Sequence, residues 1–178
     1  MSKRLMGPAL GMLGCAGVAI AVAVFVGIGA NAGKVPVKAG AKAEGKFAAA
    51  GGAFDVVGAY AWEDGVGIFN NPGIRVAIAN APLDAAAIDA APDRTKAIRQ
   101  TGVPGFRVAF LMFAKDGSWE GYSGNGCGYC FQRSVKSTVK VRKGRIAGDV
   151  KYAGDAEDLQ MSPPFELRFD APVVPARP

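Results

Sequence analysis

Histidine is missing from all 178 residues, and its absence removes several chemistries at once. Ser-His-Asp and Cys-His catalysis lose their base, and no imidazole is present to switch charge near neutral pH. Cysteine is scarce as well: Cys15, Cys127 and Cys130 are the three in the chain. The single C-x-x-C among them supplies two ligands where a structural zinc ion takes four. No metal and no cofactor is implied. A basic excess is also lacking where it would matter. The formal charge is +6, yet Lys3, Arg4, Lys34, Lys38, Lys42 and Lys46 carry it, and from Phe47 onward 15 basic residues face 14 acidic ones. Nucleic-acid binding needs a basic face on the folded part, so no nucleic-acid partner is expected. Gly124-Asn125-Gly126-Cys127-Gly128 has neither the G-x-G-x-x-G spacing nor the lysine of a P-loop, which argues against a phosphate cradle.

Charge of either sign is absent from Leu5 through Ala32, directly behind Ser2-Lys3-Arg4. A short cationic start followed by a long apolar run is the pattern of an export signal or a membrane anchor. The apolar core of residues 9–30 is long for a signal and sufficient for a span. Ala30-Asn31-Ala32 before Gly33 nevertheless offers the small residues that signal peptidase requires. The lysines at 34, 38, 42 and 46 outnumber Lys3 and Arg4, so an anchor with its C-terminus outside would violate the positive-inside rule. The expectation is therefore residues 1–32 as a signal peptide cleaved after Ala32. An exported form anchored in the inner membrane by residues 9–30 is the alternative, and membrane contact is expected only through that segment if it is uncleaved. Met12-Leu13-Gly14-Cys15 is a poor lipobox, and lipidation of Cys15 is not expected.

Residues 33–52 are Ala-, Gly- and Lys-rich, with lysines at i, i+4 that would repel one another on a helix. They are read as a flexible linker, and residues 53–178 as a single domain. Within it, alternation predicts strands. Phe54, Val56, Tyr60 and Trp62 share one parity, and Ile74, Val76 and Ile78 another run. Phe106, Val108, Phe110 and Met112 form a third, with Leu111 and Phe113 on the opposite parity, so this strand is expected to be covered on both sides. Lys115-Asp116-Gly117-Ser118 predicts a hairpin into Trp119 to Tyr122, and Lys143-Gly144 a second one joining Val135, Val139 and Val141 to Ile146, Val150 and Tyr152. Phe165, Leu167 and Phe169 alternate with Glu166, Arg168 and Asp170 in a last strand. Pro82–Ala91 and a short turn over Asp93–Gln100 read as helix, with Asn80 as cap and Gly102 as stop. The predicted fold is mainly β (α+β): an antiparallel β-sandwich or open barrel of about seven strands with one short helical insertion.

Lys143-Gly144-Arg145-Ile146-Ala147-Gly148 and Phe165-Glu166-Leu167-Arg168-Phe169-Asp170-Ala171-Pro172-Val173 resemble the closing strands of small, uncharacterised exported β-rich proteins of bacteria. The resemblance covers the C-terminal third and implies an extracytoplasmic compartment and a β fold, with no catalytic residue. The tetrapeptide Cys127-Gly128-Tyr129-Cys130 resembles the motif of periplasmic disulfide isomerases of the thioredoxin superfamily. That resemblance implies an attacking Cys127 and a resolving Cys130, with Arg133 and Lys136 near enough in sequence to lower the thiol pKa. Its context departs from the family: too little chain follows Cys130 for the remaining elements, and the following Ser-Val-Lys-Ser-Thr-Val-Lys-Val-Arg is rich in β-branched residues and alternates as a strand.

The reading of the residues themselves is a local Cys127–Cys130 disulfide pinning a glycine-rich loop between two strands, with free or differently paired thiols as the alternative. Such a loop, together with Trp119, Tyr122 and Tyr129, is the candidate binding surface; no catalytic residue is assigned. The carboxylates Glu63-Asp64, Asp155/Glu157/Asp158 and Glu120 are read as solvated, since no spacing brings two of them together. Lys136, Lys140 and Arg142 form a basic strand face, read as a lysine-guarded edge with acidic lipid or glycan as its other reading. The function expected is a non-enzymatic binding or structural module of the cell envelope, periplasmic or extracellular, whose partner is a protein, glycan or small ligand. The alternative is a thiol-disulfide oxidoreductase using Cys127 and Cys130.

Overall fold

The structure, a computed structural model, describes residues 40–68, 71–154 and 163–177. The expected signal or anchor over 1–32, and with it Cys15, lies outside the described residues, as does the Asp155/Glu157/Asp158 loop. In chain order the elements are β1 (Lys42–Ala49), β2 (Gly52–Asp55), β3 (Gly58–Ile68), β4 (Asn71–Ala79), α1 (Ala85–Ala90) and α2 (Arg94–Arg99). Then follow β5 (Val108–Ala114), β6 (Trp119–Gly124), β7 (Cys127–Cys130), β8 (Lys136–Ser137), β9 (Lys140–Arg142), β10 (Arg145–Tyr152) and β11 (Phe165–Val174). The protein is mostly β: a curled, mixed sheet forms a half-barrel, and the two helices are short. More strands are present than the seven or so expected because several are short segments of two to four residues.

Strand β11 holds the architecture together. Its residues Glu166–Asp170 pair antiparallel with β1 on one side, and Phe165–Pro172 pair with β10 on the other. Its last residues, Val173 and Val174, then run parallel to Ala61 and Trp62 of β3. One wall of the half-barrel is thus β2-β1-β11-β10 with β8 and β9 beyond it, and the other is β3-β4-β5-β6-β7. The alternation read from sequence is realised in β11: Phe165, Leu167, Phe169 and Ala171 are buried. On the opposite face, Glu166, Arg168 and Asp170 pair with Lys151, Asp149 and Arg145 of β10 at 2.6–2.8 Å.

Contrary to the flexible linker expected over 33–52, the chain from Lys42 is strand, and the domain begins well before residue 53. The lysines that oppose a helix suit this strand, because Lys42, Glu44 and Lys46 stand opposite Asp170, Arg168 and Glu166, an alternation of opposite charges across the ladder. Phe47 on the same strand is wholly buried and meets Phe54, Tyr122 and Phe165 with ring centroids 4.9–5.6 Å apart.

The main core fills the space between the two walls. A second cluster lies on the outer face of the β3–β5 wall, where Tyr60, Trp62, Ala77 and Phe110 are covered by Ile88 of α1 and Ile98 of α2. Strand β5 is therefore buried on both faces, as its sequence predicts. Phe54 and Val56 share parity with Tyr60 and Trp62, but the first pair enters the main core and the second the helical layer. The break between β2 and β3 accounts for the split: Val56 N–H donates to Gly45 and Val57 N–H to Ala79, turning the chain from one wall to the other. The helix caps also differ from expectation. Asp84 and Asp93 accept from the Ala87 and Lys96 amides at 3.1 and 2.9 Å, as N-caps do. Asn80 instead bridges Gly105 and Arg107.

Candidate functional site

The hairpin β6–β7 turns on Asn125 and Gly126, both at positive φ (48° and 88°), the conformation a two-residue type I′ turn demands. Pairing sets Tyr122 opposite Cys130 and Gly124 opposite Cys127, so three steps along β7 oppose two along β6. That extra residue is a bulge, and it shortens the strand. Three extended residues span about 10 Å, whereas the Cys127 and Cys130 Cα atoms lie 6.2 Å apart and their sulfurs are bonded. The disulfide closes a bulged edge strand rather than a loop. No helix begins at Cys127, so the dipole that acidifies a thiol in many C-x-x-C enzymes is not supplied here.

The residues expected to share a binding surface fall into three environments. Tyr122 is fully buried, packing edge-on to Phe47 at 5.1 Å and to Phe165 at 6.2 Å. It is a core residue, and its assignment to a surface is corrected: on β6 its parity faces the interior of the half-barrel. Tyr129 is 42% exposed, and its ring lies against Gly121, where an added Cβ would meet the Tyr129 ring at 3.1 Å. Its hydroxyl donates to the Glu120 carbonyl at 2.7 Å. Burial, and then the Glu120 charge, raise the Tyr129 phenol above its usual range. Trp119 is half-buried, edge-on to Phe113 at 5.5 Å and tilted against Phe165 at 6.4 Å.

Trp119 lines a cleft that sequence reading did not assemble. The cleft, about 480 Å³, lies where the β5–β6 turn (Asp116, Gly117, Ser118) faces the segment from Val135 to Arg142. Each wall has a local cause. Asp116 accepts from the Ser118 amide at 2.8 Å, which holds the Asp116 carboxyl below its ordinary range and shapes the turn. Gly117, at φ 95°, comes so near the Val139 carbonyl that a Cβ there would stand 2.8 Å from the oxygen. On the other wall, β8 and β9 keep one register against β10, from Lys136 opposite Lys151 to Arg142 opposite Arg145. Lys143 and Gly144, at φ 50° and 70°, make the predicted hairpin. Val135, Val139 and Val141 pack inward on the core, while Lys136, Lys140 and Arg142 are exposed. The pattern of this strand was legible in sequence. Its meeting with the Asp116-Gly117-Ser118 turn depends on how the two walls curl, which no local signal carries.

Two carboxylates do converge elsewhere. Asp64 and Glu120 line one small cavity with Arg75, and Asp64 is bound to Arg75 at 2.5 Å. Burial, and then the Asp116 charge, raise the Glu120 carboxyl above its ordinary range. The cavity has a volume of about 10 Å³, about one water molecule, so it offers no seat for a substrate. Among the described residues no group of three or more acidic or cysteine side chains is placed to hold a metal ion. None of the described helices is long and apolar enough to cross a membrane. Comparison with protein-family models, with curated proteins and with solved structures returns no match.

Proposed function

We propose that this chain is a non-enzymatic binding or structural module of a cell envelope. The uncharged N-terminal run exports it, and the cleft beside Trp119 seats its ligand. The observation that carries this reading is the cleft itself: a concavity of about 480 Å³, the size of a small-ligand site, between the β5–β6 turn and the segment from Val135 to Arg142. An aromatic edge, three inward valines and a charged rim give it apolar contact and polar orientation together. The Cys127–Cys130 bond supports the compartment, because such bonds persist where the surroundings are oxidising. Its place within a paired strand supports a structural use.

Three measurements test this reading. The mature N-terminus is expected at Gly33; an intact Met1 on a cytoplasmic protein overturns export. The Cys127–Cys130 couple is expected below about −300 mV, and a value near −200 mV with a reactive Cys127 would favour the oxidoreductase instead. The third measurement is amide chemical-shift mapping with a panel of envelope glycan fragments and short peptides of acidic, basic and neutral composition. Shifts clustered on residues 116–119 and 135–142 support the cleft, whereas shifts confined elsewhere, or none with any member, overturn it.

A further inference from the structure

On the outer face of the β11 wall, the cations of β10 and β11 are matched: Lys151 with Glu166, Arg168 with Asp149 and Arg145 with Asp170. The neighbouring edge strand breaks that rule. Among the described residues no acidic side chain pairs with Lys136, Lys140 or Arg142, although all three are exposed on one face. Lys140 and Arg142 also form the rim of the cleft.

The backbone of this strand has a direction too. Thr138 N–H donates to the Asp149 carbonyl, so residues 138, 140 and 142 direct their main-chain groups towards β10, and residues 137, 139 and 141 direct theirs outward, as antiparallel pairing requires. Among the described residues no strand pairs with that outward edge. The Val139 amide is taken by the Ser137 hydroxyl, and the β5–β6 turn meets the edge at the Val139 carbonyl. Val141, beyond that point, faces the cleft with both its N–H and its C=O directed outward.

The geometry points to a short, extended, acidic peptide as the occupant: a segment of a partner protein that adds to the strand edge at Val141 and sets alternate carboxylates on Lys140 and Arg142. This rests on the binding reading above and names its ligand. Main-chain pairing at an exposed edge is a general route to peptide capture. It matches repeat as well as charge, because alternate side chains of an extended peptide recur every 6 to 7 Å or so, the spacing of Lys140 and Arg142 on their own strand. A second copy of this chain fits less well, since pairing two such edges would bring lysine and arginine face to face.

The probe is a capped octapeptide alternating Glu and Val, titrated into the full folded domain and followed by amide shifts and hydrogen exchange. Saturable binding is expected, with exchange at Val141 slowed about tenfold or more and affinity falling several-fold between about 50 and 500 mM salt. K140E combined with R142E should weaken binding about tenfold or more. V141P should do the same while the domain still folds, because the N–H it removes faces away from β10 and its cost in melting temperature is that of the lost valine packing. Should V141P fail to fold, a peptide N-methylated at alternate residues asks the same question from the other side and should not bind. The proposal is overturned by any of four results: no saturable binding, equal binding of a Lys-Val peptide, binding without protection at Val141, or a dimer of this chain that protects Val141 unaided. A glycan fragment that shifts residues 116–119 and 135–142 where the peptide does not would also overturn it, while leaving the cleft as the binding site.

Discussion

Strand β7 and the β8–β9 segment both border the half-barrel, and the sequence guards them by different means. At β7 the guard is covalent. A one-residue bulge, the Cys127–Cys130 bond and the Tyr129 ring over Gly121 bend and cap the strand, so its geometry no longer matches a straight partner. At β8–β9 the register stays regular from Lys136 to Arg142, and beyond Val139, where Ser137 and the β5–β6 turn meet the edge, the guard is charge. Charge repels like edges but invites an opposite one, whereas a bulge refuses every straight partner alike. An edge guarded by cations therefore stays open to a partner of opposite charge, which is why the binding proposal is made for β9 and not for the cysteine pair.

The sharpest way to break this comparison is to strike beneath β7. Tyr122→Ala should destabilise the protein by about 3–5 kcal/mol, as the loss of a buried aromatic does; a small change in denaturation midpoint would return Tyr122 to the surface. Next comes the backbone of the capped edge. Gly121 sits at φ 124° with the Cys130 carbonyl 2.5 Å from where a Cβ would stand, while nothing lies within 4 Å of that position at Gly128. Gly121→Ala should cost about 2–3 kcal/mol and Gly128→Ala less than about 0.5 kcal/mol; equal costs would show that the bulge is not tightly held.

Replacing both Cys127 and Cys130 with serine follows in size. A four-residue loop gives a chain-entropy loss of about 2 kcal/mol. Hydrogen exchange should quicken across residues 122–130 and stay unchanged at Val141, and a change of equal size at Val141 would join the two edges into one unit. Apart from the Gly128→Ala control, the smallest effect belongs to Tyr129→Phe, about 0.5–1 kcal/mol for an exposed hydrogen bond. Because the folded phenol titrates above its unfolded value, its contribution is complete below about pH 10 and is lost as pH rises through the folded pKa. The parent and the variant should therefore converge in alkaline denaturation series, and a gap that widens with pH would remove the bond from the account.

Much of this architecture is legible as alternation. Leu111 and Phe113 against Phe110 and Met112 announce a strand covered on both faces, Phe165-Leu167-Phe169 announces the last strand, and Asp116-Gly117 and Lys143-Gly144 announce their turns. Charge patterning alone does not separate linker from strand: Lys42, Glu44 and Lys46 look solvated until Asp170, Arg168 and Glu166 are set opposite them. Asn125-Gly126 carries a hairpin signal that the neighbouring cysteines and glycines concealed. Tyr122 could not be told from a surface aromatic because its burial is decided by Phe47 and Phe165, 75 residues before it and 43 after it in the chain. The cleft was not legible at all, since it is made by the approach of segments whose local patterns are each complete without it.

Strand β11 has one consequence for how the molecule comes into being. Every strand it joins, β1, β3 and β10, precedes it in the chain, so the wall of β1 and β10 cannot be completed, nor tied to β3, until β11 has emerged. Contacts of such long sequence separation slow folding. The successive antiparallel strands β3 to β7 need no residue that follows them, so the order of translation divides the two walls into one that can pair early and one that waits for the last strand.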